Sequence, residues 1–259
     1  MPEVECNVSI RTAFGFLRLS GALICSVALV FRFIWGLGSA TFTASNFFAY
    51  LTIQSNIAFV VVSVLGGLCA LRQPIDPRWL TTLRAAVLSC TLSAGIVFAV
   101  LIQQAGARNF RIDVPWSDQI LHFWLPAFAL LGWIAAPGRG PGLRRALVLV
   151  LGYLVVWGGF TLVRGSFVGW YPYFFLDPAQ VNGLGEFAFF CALAVTLFTL
   201  VTTSVLAVSR AQPFTEREKV RAALTRRLEA ASTRRREAVV TRRGKVRGSP
   251  GPSQQARRR

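Results

Sequence analysis

Thr52 and His122 are the residues of this chain whose types could form a nucleophile and its base. Thr52 lies in the string Tyr50-Leu51-Thr52-Ile53-Gln54-Ser55-Asn56, and the single histidine lies in His122-Phe123-Trp124-Leu125-Pro126. A threonine hydroxyl is a weak nucleophile that needs a neighbouring base, and a neutral imidazole suits that task near neutral pH. If the two side chains face each other inside an apolar bundle, they could form an enzyme site.

The elements that must position these residues are predicted to be membrane spans. Of the 259 residues, 54% are hydrophobic and 15% are charged, which is too apolar for a soluble domain. Six runs are long enough to cross a hydrocarbon core of about 30 Å. They lie near residues 14–37, 47–71, 83–104, 118–136, 143–163 and 184–208. We therefore predict an all-α integral membrane protein, a six-transmembrane-helix bundle that forms one domain over residues 1–209.

The charges of the connecting loops predict the orientation of the bundle. One set of loops is rich in arginine and, with the chain's basic tail, should be cytoplasmic by the positive-inside rule. These arginines are Arg11, Arg72, Arg78, Arg84, Arg139, Arg144 and Arg145. In the other loops Arg108, Arg111 and Arg164 are partly offset by Asp113, Asp118 and Asp177. The prediction is a multi-pass protein of the cell membrane with both termini in the cytoplasm.

Residues 210–259 form a predicted basic cytoplasmic tail. It contains 16 Lys and Arg and 4 Asp and Glu, and so carries +12 of the net charge of +17. Thr215-Glu216-Arg217-Glu218 resembles a capping box that opens a helix. That helix could bind anionic lipids of the inner leaflet or could be solvated, and the residues after Gly244 are expected to be disordered. Topology accounts for the charge, so we expect no specific nucleic-acid partner.

The predicted topology brings Thr52 and His122 to a similar depth. Both of their spans start at the outer side, and Thr52 should lie about two turns down. Asn56 follows Thr52 by four residues and Asp118 precedes His122 by four, so each pair shares a helical face. Asn56 could donate to a developing oxyanion, position Thr52 or join two helices. Asp118 could orient the imidazole or point to the rim, and Thr52 itself could simply bond back to its own helix.

Further charged residues lie at the predicted outer rim. Arg32 is near the end of the first span, Arg164 is at the end of the fifth, and Asp177 lies in the loop that follows. Asp118, Arg164 and Asp177 could form an ion network, or a free Arg32 or Arg164 could bind a substrate carboxylate. No metal or other cofactor is expected, because one histidine without a carboxylate cluster supplies too few ligands.

The strings around Thr52 and His122, with the segment Arg164-Gly165 to Tyr173 and Leu176-Asp177, resemble the bacterial Pr6Pr family of six-span membrane proteins. More distantly, residues 14–208 are similar to the androgen-induced gene 1/FAR-17a family of animals. That resemblance implies a membrane threonine hydrolase that cleaves fatty acid esters of hydroxy fatty acids. It implies Thr52, after a Tyr-Leu pair, as the nucleophile, and His122, before a Leu-Pro pair, as the catalytic histidine.

Three functions are compatible with these observations. The first is an intramembrane threonine hydrolase of lipid esters, whose partners are membrane lipids and the ester substrate. The second is a non-enzymatic membrane protein that binds or transports a small lipid or solute through the polar pocket. The third is a scaffold whose basic tail recruits a partner or anionic lipid. Covalent chemistry at Thr52 distinguishes the first from the others.

Overall fold

The computed structural model of the protein describes residues 2–40, 42–73, 75–107, 113–136 and 144–210. The chain divides into two units, residues 1–213 and 214–259, and the described residues all belong to the first. The predicted tail helix with its capping box at Thr215, and the loop arginines Arg108, Arg111 and Arg139, lie outside the described residues.

The described residues form helices joined by turns and loops, and no strand occurs among them. In chain order the helices are α1 (Pro2–Leu37), α2 (Ala44–Phe47), α3 (Leu51–Arg72), α4 (Arg78–Ala107), α5 (Trp116–Gln119), a π-helix (Ile120–Trp124), α6 (Leu125–Ala135), α7 (Arg144–Val168), a 3-10 helix (Phe174–Leu176) and α8 (Leu184–Arg210).

Within the described residues, five helices are long and apolar enough to cross a membrane. The segments concerned are Ile10–Leu37, Leu51–Arg72, Arg78–Gln103, Arg144–Val168 and Leu184–Ser209. For the described residues, the prediction of an all-α protein with several membrane-length apolar helices is therefore confirmed. In a bilayer such helices satisfy their own backbone hydrogen bonds, which is why this pattern of hydropathy produces them.

The fourth predicted span, residues 118–136, is not one regular helix. It consists of α5, the π-helix and α6, which contain 4, 5 and 11 residues. The backbone keeps right-handed helical angles at Gln119 and Trp124, where one piece passes into the next. Pro126 explains the break, because it has no N–H to donate to the carbonyl of His122 four residues earlier.

Helix α4 is the centre of the bundle, with α3, α6, α7 and α8 packed around it, while α1 packs along α3. Small residues allow the close approach of α1 and α3. A Cβ atom on Gly67 would lie only 3.0 Å from the carbonyl oxygen of Gly15. Close packing of this kind between small residues replaces the hydrophobic effect as a source of helix association in lipid.

A buried charge cluster joins α1, α4 and the loop between α3 and α4. The carboxylate of Asp76 has no exposed surface and binds the guanidinium groups of Arg11 at 2.8 Å, Arg18 at 3.2 Å and Arg84 at 2.6 Å. Arg18 also donates to the Gly66 carbonyl oxygen at 2.8 Å. Breaking such a buried ionic group by removing one member is strongly destabilising, so we assign the cluster a structural role.

Candidate active site

Helix α3 begins later than its hydropathy predicts, and this changes the position of Thr52. The chain turns at Phe48–Tyr50, and α3 starts at Leu51, so the expectation that Thr52 lies about two turns down is wrong. Side chains satisfy the carbonyl groups of this turn: Gln54 Nε2 donates to Phe48 O at 2.9 Å, and Trp157 Nε1 donates to Ala49 O at 3.0 Å.

Thr52 therefore lies in the first turn of α3. The first backbone hydrogen bond of this helix joins Gln54 N–H to Tyr50 O. The amides of Leu51, Thr52 and Ile53 thus have no acceptor within the helix, as at any helix N-terminus. These amides and the helix dipole favour negative charge close to the Thr52 side chain.

The hydroxyl of Thr52 does not follow the usual pattern of membrane threonines. Thr81, Thr82 and Thr202 each donate to the carbonyl four residues earlier in the chain. For Thr52 that carbonyl belongs to Phe48, which lies before the helix and accepts from Gln54 instead. The Thr52 hydroxyl instead lies close enough to the Tyr173 phenol to oppose the rise of its pKa. The back-bonded alternative is therefore not what the structure contains.

His122 is at the centre of the π-helix, a form of helix that often occurs at functional sites. Its carbonyl oxygen, which Pro126 leaves without the usual donor, packs against Gly95 of α4. A Cβ atom at residue 95 would overlap this oxygen. Gly95 thus lets α4 approach the π-helix closely enough to fix the backbone of His122.

The imidazole of His122 is fixed by a hydrogen bond and by stacking. Its Nδ1 lies 2.9 Å from the carbonyl oxygen of Asp118. A carbonyl oxygen can only accept, so Nδ1 carries the proton and the neutral ring has its lone pair on Nε2. The ring of Phe98 stacks on the imidazole with a centroid distance of 3.7 Å.

Thr52 and His122 line the same cavity, which has a volume of about 210 Å³ and which we call the Thr52 cavity. Both residues are buried, with 7% and 8% of their surfaces exposed. The complete lining is Arg32, Phe47, Tyr50, Thr52, Ile53, Phe98, Asp118 and His122. A hydroxyl group, an unprotonated ring nitrogen and an ion pair are therefore combined in one small, largely aromatic space.

The carboxylate of Asp118 binds Arg32 and not the imidazole. Arg32 Nε lies 2.7 Å from Asp118 Oδ1, and the Arg32 guanidinium also lies over the ring of Trp35 at 4.7 Å. Asp118 thus orients His122 through its backbone carbonyl, while its side chain neutralises the arginine at the cavity wall. Of the two arginines considered for a substrate carboxylate, Arg32 is the one that lines the cavity.

Asn56 is completely buried and supports the site from behind. Its Nδ2 donates to Thr52 O at 2.9 Å and lies 3.5 Å from Leu121 O, and its Oδ1 lies 3.6 Å from the Cys25 sulfur. The amide thus connects α3 with α1 and the π-helix. This geometry matches positioning and helix contact, the two other interpretations of Asn56, and gives no support to oxyanion donation.

Tyr173 is the main residue of the site that the sequence did not single out. Burial raises the pKa of Tyr173 to about 12, although the neighbouring Thr52 hydroxyl acts in the opposite direction. The phenol thus stays protonated at neutral pH and can donate a hydrogen bond. The rings of Tyr50 and Trp157 pack against it at centroid distances of 6.1 and 5.9 Å.

Arg164 and Asp177 lie outside the Thr52 cavity. Arg164 donates to Asn46 Oδ1 at 2.7 Å and lies 5.7 Å from the ring of Trp170. Asp177 accepts from Ala179 N at 2.9 Å and from Gln180 Nε2 at 2.7 Å, which closes its own turn. The sequence suggested an ion network of Asp118, Arg164 and Asp177. In the structure Asp118 instead binds Arg32, Arg164 binds Asn46, and Asp177 accepts from residues of its own turn.

The sequence contains a signal for some of the unpredicted site residues and not for others. Tyr173 lies in the Trp170-Tyr171-Pro172-Tyr173 string that carried the family resemblance, and Tyr50 lies beside Thr52. Phe98 is one of many phenylalanines in apolar spans and gives no signal of its own. Among the described side chains, no group of three or more His, Cys, Asp or Glu could hold a metal ion.

No protein-family model, curated protein or solved structure matches this chain. The resemblance to the Pr6Pr and androgen-induced gene 1 families thus stays a prediction.

Proposed function

We propose that this protein is a membrane hydrolase that cleaves lipid esters, with Thr52 as the nucleophile and His122 as the general base. The observation that carries the proposal is the cavity that Thr52 and His122 share, with the Nε2 lone pair of the imidazole available. The family resemblance adds the substrate class, fatty acid esters of hydroxy fatty acids. The geometry of the cavity supports the roles of Thr52 and His122, and the family resemblance supports the substrate class.

The proposed reaction has two halves. In the first, His122 Nε2 takes the proton of the Thr52 hydroxyl while the Thr52 oxygen attacks the ester carbonyl carbon. The tetrahedral intermediate collapses, the ester C–O bond breaks, and the imidazolium returns its proton to the leaving alcohol. In the second half, water attacks the acyl-threonine with His122 again as base. The acyl–threonine C–O bond then breaks, and His122 passes the proton that it took from water to the Thr52 oxygen. The products are a fatty acid and an alcohol.

Two sets of donors are proposed to stabilise the oxyanion. The first is the group of backbone amides in the first turn of α3, which have no acceptor within their helix. The second is the Tyr173 phenol, whose raised pKa keeps it protonated. Donors aimed at developing charge in a site that excludes water are usually the largest electrostatic contribution to catalysis.

Arg32 is proposed to bind the free carboxylate of the hydroxy fatty acid half. Its Nε is held by Asp118 at 2.7 Å, and about a quarter of its side chain, 27%, is exposed. An arginine keeps further N–H donors for a second carboxylate. Such a contact would place the anionic end of the substrate in the Thr52 cavity.

The proposed membrane arrangement has six spans and both termini in the cytoplasm, within the cell membrane. Five of these spans are the long helices, and the fourth in chain order is the succession of α5, the π-helix and α6, whose backbone stays helical where the pieces join. Loop charges support this orientation by the positive-inside rule. The basic residues after Arg210 would then face the anionic lipids of the inner leaflet.

The test is covalent labelling of the purified protein by a fluorophosphonate probe, with the modified residue identified by mass spectrometry. Wild type should be labelled at Thr52, and Thr52→Ala and His122→Ala should lose the label. Thr52→Ser should keep it, because serine retains the hydroxyl. Thr199→Ala is a matched control, since the Thr199 hydroxyl donates to Val195 O of its own helix.

Turnover of a fatty acid ester of a hydroxy fatty acid should follow the same pattern across these variants. Equal labelling of Thr52→Ala and wild type, with both folded, would reject Thr52 as the nucleophile. The binding or transport function would then become the leading explanation of the cavity.

A further inference from the structure

A second, apolar cavity adjoins the candidate active site. It has a volume of about 270 Å³ and lies between α4, α7, α8 and the loop that carries the 3-10 helix. We call it the α7–α8 groove. Residues that represent its walls are Ala94, Val97, Trp157, Gly159, Phe175 and Val195. These walls are almost entirely hydrocarbon and aromatic, so their chemistry matches an alkyl chain.

The groove reaches the candidate nucleophile at one end. Leu51 and Tyr173 belong to the lining of the groove. Thr52, which follows Leu51 in the chain, lines the neighbouring Thr52 cavity. The Tyr173 phenol is also close enough to the Thr52 hydroxyl for that hydroxyl to act on its pKa. A carbonyl group placed at Thr52 and Tyr173 would thus have an apolar space on one side and an ion pair on the other.

The other side of the groove faces the surroundings of the bundle. Val155, which lines it, has 72% of its surface exposed, and Gly159 is also exposed. A Cβ atom at residue 158 or 159 would meet nothing within 4 Å. The groove is therefore open along α7, on a surface whose neighbours in a membrane are lipid chains.

We propose that the α7–α8 groove binds the acyl chain of the substrate ester, which enters sideways from the bilayer. This inference rests on the proposed function for the identity of the reacting group, but binding of the chain itself does not require hydrolysis. The acyl half lies in the groove, the ester carbonyl lies beside Thr52 and Tyr173, and the hydroxy fatty acid half occupies the Thr52 cavity.

The test uses photo-crosslinking of a long-chain fatty acid that carries a terminal diazirine, with the full-length protein in lipid nanodiscs. Gly159→Leu should fill the groove and lower crosslinking to groove-lining residues severalfold. Gly152→Leu is the matched control. Residue 152 is on the same helix, is exposed, has open space around it and is not part of the groove. Leucine improves helix propensity at both positions, so both variants should fold.

A second variant tests the opposite wall in case Gly159→Leu does not fold. Val195 of α8 lines the groove, and Val195→Phe should lower crosslinking in the same way. Equal crosslinking of wild type, Gly159→Leu and Val195→Phe would overturn the proposal. So would adducts spread evenly over exposed positions away from the groove, such as Val148.

Failure of the groove and failure of the hydrolase give different results. If Thr52→Ala loses the fluorophosphonate label but keeps groove crosslinking, both proposals hold. If wild type takes no label and hydrolyses no ester while Gly159→Leu still lowers crosslinking, chain binding in the groove is supported and the hydrolase function is rejected. If the enzyme hydrolyses esters but Gly159→Leu does not change crosslinking, the proposed hydrolase function is kept and the proposed binding of the acyl chain in the groove is rejected.

Discussion

The Nδ1 atom of His122 lies 2.9 Å from the backbone carbonyl oxygen of Asp118, whereas the Asp118 carboxylate is 2.7 Å from Arg32 Nε. One residue thus fixes the imidazole with its main chain and an arginine with its side chain. The main-chain contact survives any substitution at position 118 that keeps the helix. The orientation of the base and the charge balance of the cavity can therefore be tested separately.

Asp118→Asn should lower ester turnover by less than about tenfold, because the carbonyl that holds His122 remains. His122→Ala should lower it by about 100-fold or more, the usual range for a general base. Arg32→Gln should raise KM for an ester with a free carboxylate and leave a neutral ester little changed. Steady-state kinetics on the two esters measures all three effects. A loss in Asp118→Asn as large as that in His122→Ala would mean that the carboxylate takes part in the chemistry.

Tyr173→Phe should slow fluorophosphonate labelling by about tenfold to 100-fold through loss of an oxyanion donor, while the α3 amides keep part of the stabilisation. In ester hydrolysis, the same substitution should lower kcat and leave KM unchanged. Tyr171→Phe is the control, because its ring packs against Gly165 away from the Thr52 cavity.

The pH dependence of Tyr173 follows from the raised pKa of its phenol. Its ionisation occurs only as the pH rises through about 12, so below that value the phenol remains a donor. The labelling rates of wild type and Tyr173→Phe should therefore stay in constant ratio up to pH values near the ordinary phenol pKa of about 10. A ratio that already falls towards one below about pH 10 would contradict the raised pKa of Tyr173. A ratio of one at every pH would contradict the donor role.

Gly95→Ala should reduce activity and stability together, because the new methyl group overlaps the carbonyl oxygen of His122. Overpacking of this kind costs about 1–3 kcal/mol of unfolding free energy. Gly132→Ala is the control, since a Cβ there meets nothing within 4 Å, and it should be neutral or slightly stabilising. Thermal unfolding in detergent together with the labelling rate measures both effects. Full activity in Gly95→Ala would show that the contact does not position the base.

Asp76→Asn should destabilise the bundle by about 3–5 kcal/mol, because it leaves buried guanidinium groups without their carboxylate. Asp177→Asn should change stability by no more than about 0.5 kcal/mol, since its carboxylate closes an exposed turn. The measurement is the unfolding midpoint in detergent. The labelling rate of the folded fraction should be unchanged in both variants, and a selective loss in Asp76→Asn would contradict a purely structural role.

Hydropathy was enough to predict the membrane-length helices. The residue types singled out Thr52 and His122, which line one cavity. Neither signal could predict where α3 begins, because that depends on distant side chains such as Trp157 that satisfy the carbonyls of the preceding turn. The π-helix had a local signal, the proline four residues after His122, which removes one backbone donor.

Pairing of the charged residues was less accessible to sequence analysis. Depth in the membrane limits which residues can meet, but the rotation of each helix about its axis decides which ones do. Arg32 and Asp118 are 86 positions apart in the chain, and a one-residue rotation of either helix would separate them. The Asp76 cluster was not predicted for the same reason. Arg11 and Arg84 predict topology by their charge, but their spacing in the sequence does not show that they meet Asp76.

The Asp76 cluster also has a consequence for biosynthesis. Arg18 is in the first long helix, and its carboxylate partner is 58 residues later in the chain. The ribosome therefore delivers this arginine to the membrane before Asp76 has been translated. A charged side chain within a span is costly until it is paired. The first helix thus reaches its final packing only after the polypeptide beyond the second long helix has emerged, so insertion and assembly of this bundle are coupled events.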